Sequence, residues 1–189
     1  MFRINCALKS APKMSMIPSP IDMKKTATLG MLLALSLILS YVEILIPIPL
    51  GIPGIKLGLP NLLVILTLFF YGPKESGLLC VLRIALVAVL FGSMYSFLYS
   101  LVGGLLAFAA ECLAKRSKFF SLWGVSMVGG IVHNIGQILV AYFVVNTRSV
   151  FFYLTILLPC GMITGVLIGF VCILLLPVGR KIMIQENLI

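Results

Sequence analysis

Long apolar runs, separated by short polar or Gly- and Pro-containing breaks, fill most of this chain. A helix needs about 20 apolar residues to cross the 30 Å hydrocarbon core of a bilayer. Six spans are predicted, of which the second is the shortest: Thr26–Ile46, Pro60–Tyr71, Glu75–Phe91, Tyr95–Ala114, Ser121–Val145 and Ser149–Leu176. The pattern therefore predicts an all-α integral membrane fold, a compact bundle of six transmembrane helices.

Composition supports a membrane protein and excludes a soluble one. Of the 189 residues, 61% are hydrophobic and 10% are charged, whereas soluble chains carry about 25% charged residues. The net charge of +9 does not indicate nucleic-acid binding, because the basic residues cluster at the ends of apolar runs. We expect one membrane domain over 23–181, a polar and disordered tail over 1–22, and a short tail over 182–189.

The segment Pro47–Asn61 is apolar but cannot form a regular helix. Seven of its fifteen residues are Gly or Pro, and six others are Ile or Leu. Irregular backbone inside a membrane is tolerated only where it packs on protein or lines a cavity. The segment therefore predicts either the lid of a binding site or a stiff connector between the first two spans.

The distribution of Lys and Arg predicts the orientation. With a cytoplasmic N-terminus, only Lys56 and Arg148 lie outside. Eleven basic residues then lie inside: Arg3, Lys9, Lys13, Lys24, Lys25, Lys74, Lys115, Arg116, Lys118, Arg180 and Lys181. This bias predicts that both termini are cytoplasmic and that the segment Pro47–Asn61 lies outside.

Polar residues inside the apolar runs are the candidates for ligand contact. Arg83 lies near the middle of the third span, where a cation costs ~3 kcal/mol. It either clamps a polar or anionic ligand or forms a structural pair with Glu43. His133, Asn134 and Gln137 share one side of the fifth span, where they contact a ligand or hydrogen-bond between helices.

For three further polar residues, a structural role is weighed against a functional one. Lys56 meets an anionic group or points to water. Asn61 begins the second span, where it is expected to cap the helix or contact the ligand. Glu111, near the inner end of the fourth span, is expected to reach the interface or pair with Lys115 rather than to have a function.

Small residues at a spacing of four predict close helix contacts. Gly161, Gly165 and Gly169 form such a row on the sixth span. Gly30 and Ala34 form a weaker pair on the first span, which is interpreted as a docking surface for a partner protein or as internal packing.

Several kinds of chemistry are excluded by the sequence. There is no Walker A motif, and the only aspartate is Asp22, so neither ATP hydrolysis of that type nor an aspartate-rich Mg²⁺ site is predicted. A single histidine and cysteines without C-x-x-C spacing argue against a metal site. No catalytic residues, metal or cofactor are therefore predicted.

Several motifs resemble one known family. They are GIKLGLPN (Gly54–Asn61), YGPKE (Tyr71–Glu75), Arg83, FGSMYSFLYSLVGG (Phe91–Gly104) and HNIGQ (His133–Gln137). Together they resemble the Gx transporter family, also described as heptaprenyl diphosphate synthase component I. That family is similar to the substrate-binding (S) subunits of energy-coupling-factor transporters.

The resemblance implies a substrate-binding subunit of a micronutrient uptake system in the plasma membrane. It implies that the loop Pro47–Asn61 gates the site, and that Gly30 and Ala34 dock a transmembrane coupling subunit driven by ATPase subunits. The substrate contacts would be Lys56, Asn61, Arg83, His133, Asn134 and Gln137. The alternative is a non-catalytic membrane component of prenyl diphosphate synthesis.

Overall fold

The computed structural model describes residues 20–45, 58–91 and 94–185, and these residues form helices without any strand. Six α-helices follow one another, with a short 3₁₀ helix before the last. Their bounds are α1 Pro20–Leu45, α2 Asn61–Phe70, α3 Pro73–Phe91, α4 Met94–Ser117, α5 Leu122–Val145, the 3₁₀ helix Arg148–Tyr153, and α6 Leu154–Gln185. Within the described residues, the all-helical fold agrees with the prediction.

In the part of the chain that the structure describes, four helices are long and apolar enough to cross a membrane: α1, α4, α5 and α6. The helix α3 has a suitable length of 19 residues, but it carries Lys74, Glu75 and Arg83. The helix α2 has only ten residues, or about 15 Å, which is roughly half of a hydrocarbon core. The described residues therefore form six α-helices, but it stays a prediction that all six span the membrane, because α2 by itself is too short.

Local chemistry explains two of the helix boundaries. Gly72 adopts a φ of +102°, a conformation that favours glycine, and Pro73 then begins α3 at a position where its missing N–H costs nothing. Asn146 ends α5 in the left-handed conformation, and its N–H donates to the carbonyl of Tyr142. Both breaks lie between predicted spans, the first between Tyr71 and Glu75 and the second between Val145 and Ser149.

Close packing of α4, α5 and α6 forms the larger part of the bundle. The predicted glycine row of α6 lies on α5: a Cβ at Gly161 would be 2.7 Å from the Gly130 carbonyl oxygen, and one at Gly165 would be 2.8 Å from the Ser126 carbonyl oxygen. The Ser126 hydroxyl also donates to the carbonyl of Gly165 at 2.6 Å. Glycine is needed here because the two backbones are almost in contact.

The short helix α2 lies in the interior of the protein. Seven of its ten residues are buried, and it packs on α1, α3, α4 and α6. An isolated ten-residue helix is only marginally stable, so packing must hold it. The turn that precedes it contains Gly58, which borders the polar side chains of the candidate site.

Candidate functional site

A small polar cavity lies between α1, α3, α4 and α5, beside the turn that leads into α2. Its volume is about 20 Å³, enough for about one water molecule. Its lining consists of Ser40, Glu43, Gly58, Arg83, Ile84, Val87, Ser100 and His133. A cavity with this many polar side chains inside an apolar bundle is the candidate binding site.

Glu43 fixes the turn on one side of this cavity. Its Oε1 accepts hydrogen bonds from the backbone N–H of Gly58 at 2.5 Å and of Leu59 at 3.3 Å. Gly58 has a φ of +85°, so the turn requires glycine there. A buried carboxylate is stabilised by such backbone donors, and the turn in turn depends on the carboxylate. This role was not foreseen, since Glu43 was considered only as a partner of Arg83.

Arg83 lies at the middle of α3 and lines the same cavity. Its side chain is buried, and its Nε has no hydrogen-bond partner among the residues that the structure describes. Gly104 of α4 lies beside this part of α3, where a Cβ would clash with Ile84 Cδ1 at 2.9 Å and would only touch a terminal nitrogen of Arg83 at 3.7 Å. A buried cation with an unused donor beside a cavity is suited to bind a polar or anionic group.

The helix α5 places its predicted residues in different environments. His133 lines the cavity, next to the Gly58 turn and to Gly103. Gln137, one turn further along, is fully buried, and within the described chain neither its amide nitrogen nor its amide oxygen has a hydrogen-bond partner. Asn134 instead donates from Nδ2 to the carbonyl of Leu157 at 2.6 Å, which joins α5 to α6.

A second buried polar pair connects α2 to α4. Asn61 donates from its side-chain nitrogen to Oε1 of Glu111, and Glu111 is completely inaccessible to solvent. Pro60 is the residue before the first turn of α2 and no side chain caps the helix, so the capping prediction for Asn61 is wrong. Nor does Asn61 line the cavity described above.

The expectation for Glu111 is also wrong. Its side chain points into the bundle, and Lys115 donates to the carbonyl of Leu68 at 2.5 Å instead of pairing with it. The reason is the helical repeat: Gly103, Ala107 and Glu111 are spaced by four residues and all are buried. Glu111 therefore shares the inward-facing row of small residues.

The remaining predicted residues lie away from the cavity. Gly30 and Ala34 are exposed on α1, and a Cβ at Gly30 would meet nothing within 4 Å. Internal packing among the described residues therefore does not explain this pair. Lys56 and residues 47–57 of the predicted lid are outside the described residues.

Two cavity residues, Ser40 and Ser100, were not identified from the sequence. A signal for Ser40 was present, because Ser36, Ser40 and Glu43 lie on one face of the otherwise apolar α1, and all three are buried. Ser100 had no comparable signal. As for metal sites, no group of three His, Cys, Asp or Glu side chains comes together within 20–45, 58–91 and 94–185.

The comparisons with known proteins support the resemblance found in the motifs. Residues 32–175 match the family described as heptaprenyl diphosphate synthase component I. A similar solved structure is described as "Structure and mechanism of the S component of a bacterial ECF transporter". It has a TM-score of 0.67 and 20% sequence identity, and the alignment covers 86% of this chain and 98% of that one.

The structural match and the family match support different conclusions. At 20% identity the structural likeness establishes a shared fold, that of the S component. A search of curated proteins gave no match. The family match, in contrast, extends over most of the sequence. The chain therefore belongs to the family described as heptaprenyl diphosphate synthase component I.

Proposed function

We propose that this protein is the substrate-capture subunit of an energy-coupling-factor-like transporter that takes up a micronutrient. The observation that carries the proposal is the polar cavity lined by Glu43, Arg83 and His133 within an apolar bundle. Charged side chains at membrane depth are costly and generally mark a binding site or a transport pathway. The shared fold with an S component supports the same function.

In this proposal the ligand enters from outside, beneath the segment Pro47–Asn61. The cavity of about 20 Å³ is far smaller than the 300–1,000 Å³ of ordinary small-molecule sites, so the turn at Gly58 must move to admit a ligand. The contacts between Glu43 and this turn would then break or rearrange. Arg83 and His133 would contact the ligand, and Lys56 would contribute from the lid.

The exposed surface at Gly30 and Ala34 is the proposed docking site for a transmembrane coupling subunit. Small residues on an exposed helix face allow another helix to approach closely. The opposite face of α1 carries Ser40 and Glu43 of the cavity. Docking on one face of α1 is thus positioned to influence the turn that Glu43 holds.

The proposed orientation has both termini in the cytoplasm of a cell whose plasma membrane holds the protein. It rests on the bias of eleven basic residues against two. In intact cells, and in a background whose five native cysteines are replaced by alanine, a membrane-impermeant thiol reagent should label Arg148→Cys but not Arg116→Cys. Labelling of Arg116→Cys alone would reverse the orientation.

A second function is favoured by the description of the matching family. The chain would then be a non-catalytic membrane component of prenyl diphosphate synthesis. The sequence contains one aspartate, Asp22, so it has no aspartate-rich Mg²⁺ site of its own for such a reaction. A separate synthase would have to supply the chemistry.

Co-purification distinguishes the two functions. The tagged protein is isolated from its native membrane in mild detergent, and the retained proteins are identified by mass spectrometry. Transport predicts a coupling subunit and ATPases, and Gly30→Leu should reduce their recovery while the protein remains monodisperse. Recovery of a soluble prenyl synthase, with no ATPase, would overturn the transport proposal.

A further inference from the structure

A groove at the opposite end of the bundle from the Gly58 turn is not used by the proposed function. It lies where α2 ends and α4 ends, and its volume is about 460 Å³. The floor is apolar, formed in part by Leu68, Cys112 and Leu113. Three cations, Lys115, Arg116 and Lys118, line the same groove. An apolar trough next to a cluster of cations is complementary to an amphiphile with an anionic head.

The three cations differ in burial and in their contacts. Lys115 is half-buried and fixed, since its Nζ donates to the carbonyl of Leu68 and lies 4.8 Å from the centre of the Phe69 ring. Arg116 and Lys118 are exposed at the end of α4. The fixed cation therefore supplies a constant positive field, while two exposed side chains are available to close on a bound group.

Among the described residues that line the groove, none is acidic, so none of these neutralises the cations. Glu111, on the same helix, is directed into the bundle and bonded to Asn61. Glu75, near the start of α3, is bonded to Lys25 at 2.6 Å. The local positive charge is thus left for an external anion.

The position of the groove indicates which anion is available. Arg116 is one residue from the end of α4, a helix that is long and apolar enough to cross a membrane. Phe119 and Trp123 follow on the exposed surface, as expected for aromatic residues at a membrane interface. Phosphate headgroups lie at this depth, and basic pockets between transmembrane helices bind anionic headgroups.

We propose that this groove binds an anionic membrane phospholipid. Its phosphate is held by Arg116 and Lys118, above the field of Lys115, and an acyl chain lies along Leu113. Leu113 is 69% exposed, so a chain placed there covers apolar surface. The site is separate from the cavity of Arg83 and does not depend on the transport proposal.

The test measures lipid binding to the full-length protein in a neutral detergent by native mass spectrometry. The probes are short-chain phosphatidylglycerol and short-chain phosphatidylcholine. The test variant is Arg116→Gln with Lys118→Gln. The matched control is Arg180→Gln with Lys181→Gln, which removes the same charge from exposed positions on α6.

The wild type should prefer phosphatidylglycerol, and the test variant should bind it roughly thirtyfold more weakly, or about 2 kcal/mol, with little change for phosphatidylcholine. The control should retain wild-type affinity. An equal loss in both variants would indicate net charge rather than a site and would overturn the proposal. Unchanged lipid binding with loss of a co-purified protein would also overturn it, in favour of protein docking.

Inorganic phosphate tests the apolar half of the site. If the acyl chain contributes, phosphate at equal concentration should not displace phosphatidylglycerol, and Leu113→Ser should weaken the lipid but not phosphate. Displacement by phosphate alone would show that the groove holds an anion without a lipid, which contradicts the proposal.

Discussion

At the scale of single residues, a few buried polar side chains hold the turn and the first residue of α2 and line the cavity. Glu43 fixes the turn before α2, and Glu111 accepts a hydrogen bond from the first residue of that helix. Arg83 lies on the cavity with an Nε that none of the described residues satisfies. Each of these residues is polar within an apolar stretch of helix. In each case a specific contact or a position at the cavity explains why a polar residue is present.

The bond between Asn61 and Glu111 predicts a stability difference between two substitutions. Glu111→Gln keeps an acceptor for the Asn61 amide, whereas Glu111→Leu leaves that buried amide unpaired, at a cost of about 1–3 kcal/mol. Both substitutions remove the ionisable carboxyl group, so that change is the same in the two variants. Thermal unfolding in detergent should therefore occur about 2–12 °C lower for Glu111→Leu than for Glu111→Gln.

A double substitution provides the control for this prediction. Adding Asn61→Leu to Glu111→Leu removes both partners and should recover part of the lost stability, because no unpaired amide remains. Equal melting temperatures for Glu111→Leu and Glu111→Gln would contradict a stabilising role for the bond.

Most of these residue contacts could not be predicted from the sequence, for a physical reason. Helical periodicity identifies the inward face, and it could have revealed Ser40 with Glu43 and Glu111 with Gly103. It does not identify the partner, because Asn61 and Glu111 are fifty positions apart and meet only through the packing of α2 on α4. The role of Asn134 was foreseen only as one of two alternatives.

At the scale of elements, α2 is a short helix held by polar contacts along its length. Glu43 bonds the turn before it, and Ser76 donates to the carbonyl of Val64 at 2.7 Å. Lys115 donates to the carbonyl of Leu68 near the other end. These contacts join α2 to α1, α3 and α4, so movement of the Gly58 turn would be transmitted to three helices.

The close contact between α5 and the glycine row of α6 predicts different stability effects for two glycine substitutions. A Cβ at Gly165 would lie 2.8 Å from both the Met127 Cα and the Ser126 carbonyl oxygen, and backbone atoms cannot easily move away. Gly165→Ala should therefore destabilise the protein by about 1–3 kcal/mol. Unfolding in detergent measures the difference.

Gly30→Ala is the matched control, since a Cβ there would meet nothing within 4 Å. It should leave stability unchanged or raise it slightly, because alanine favours a helix more than glycine does. Similar melting temperatures for the two variants would show that α5 and α6 do not approach each other closely at Gly165.

The local sequence predicted where helices begin and end better than it predicted where each helix lies in the bundle. The breaks at Gly72–Pro73 and at Asn146 follow from backbone preferences of single residues. That α2 would be the shortest of the six helices was foreseen. Its central position could not be, because it depends on packing against four other helices.

For the whole molecule, the family and the fold are established by two different comparisons. The matched family gives membership, and the likeness to an S component gives the architecture. The cavity beside Arg83 and His133 gives that architecture a site. The central claim of the account is that this site binds a small polar molecule.

Native mass spectrometry of protein purified from its own membranes tests that claim most directly. We expect the wild type to carry a water-soluble molecule of discrete mass. Arg83→Met, which removes the cation at the cavity, should reduce its occupancy at least about tenfold, as expected for a lost charged hydrogen bond. Gly30→Ala should retain the molecule. Equal occupancy in Arg83→Met and wild type, or a wild type that carries lipid alone, would contradict the account.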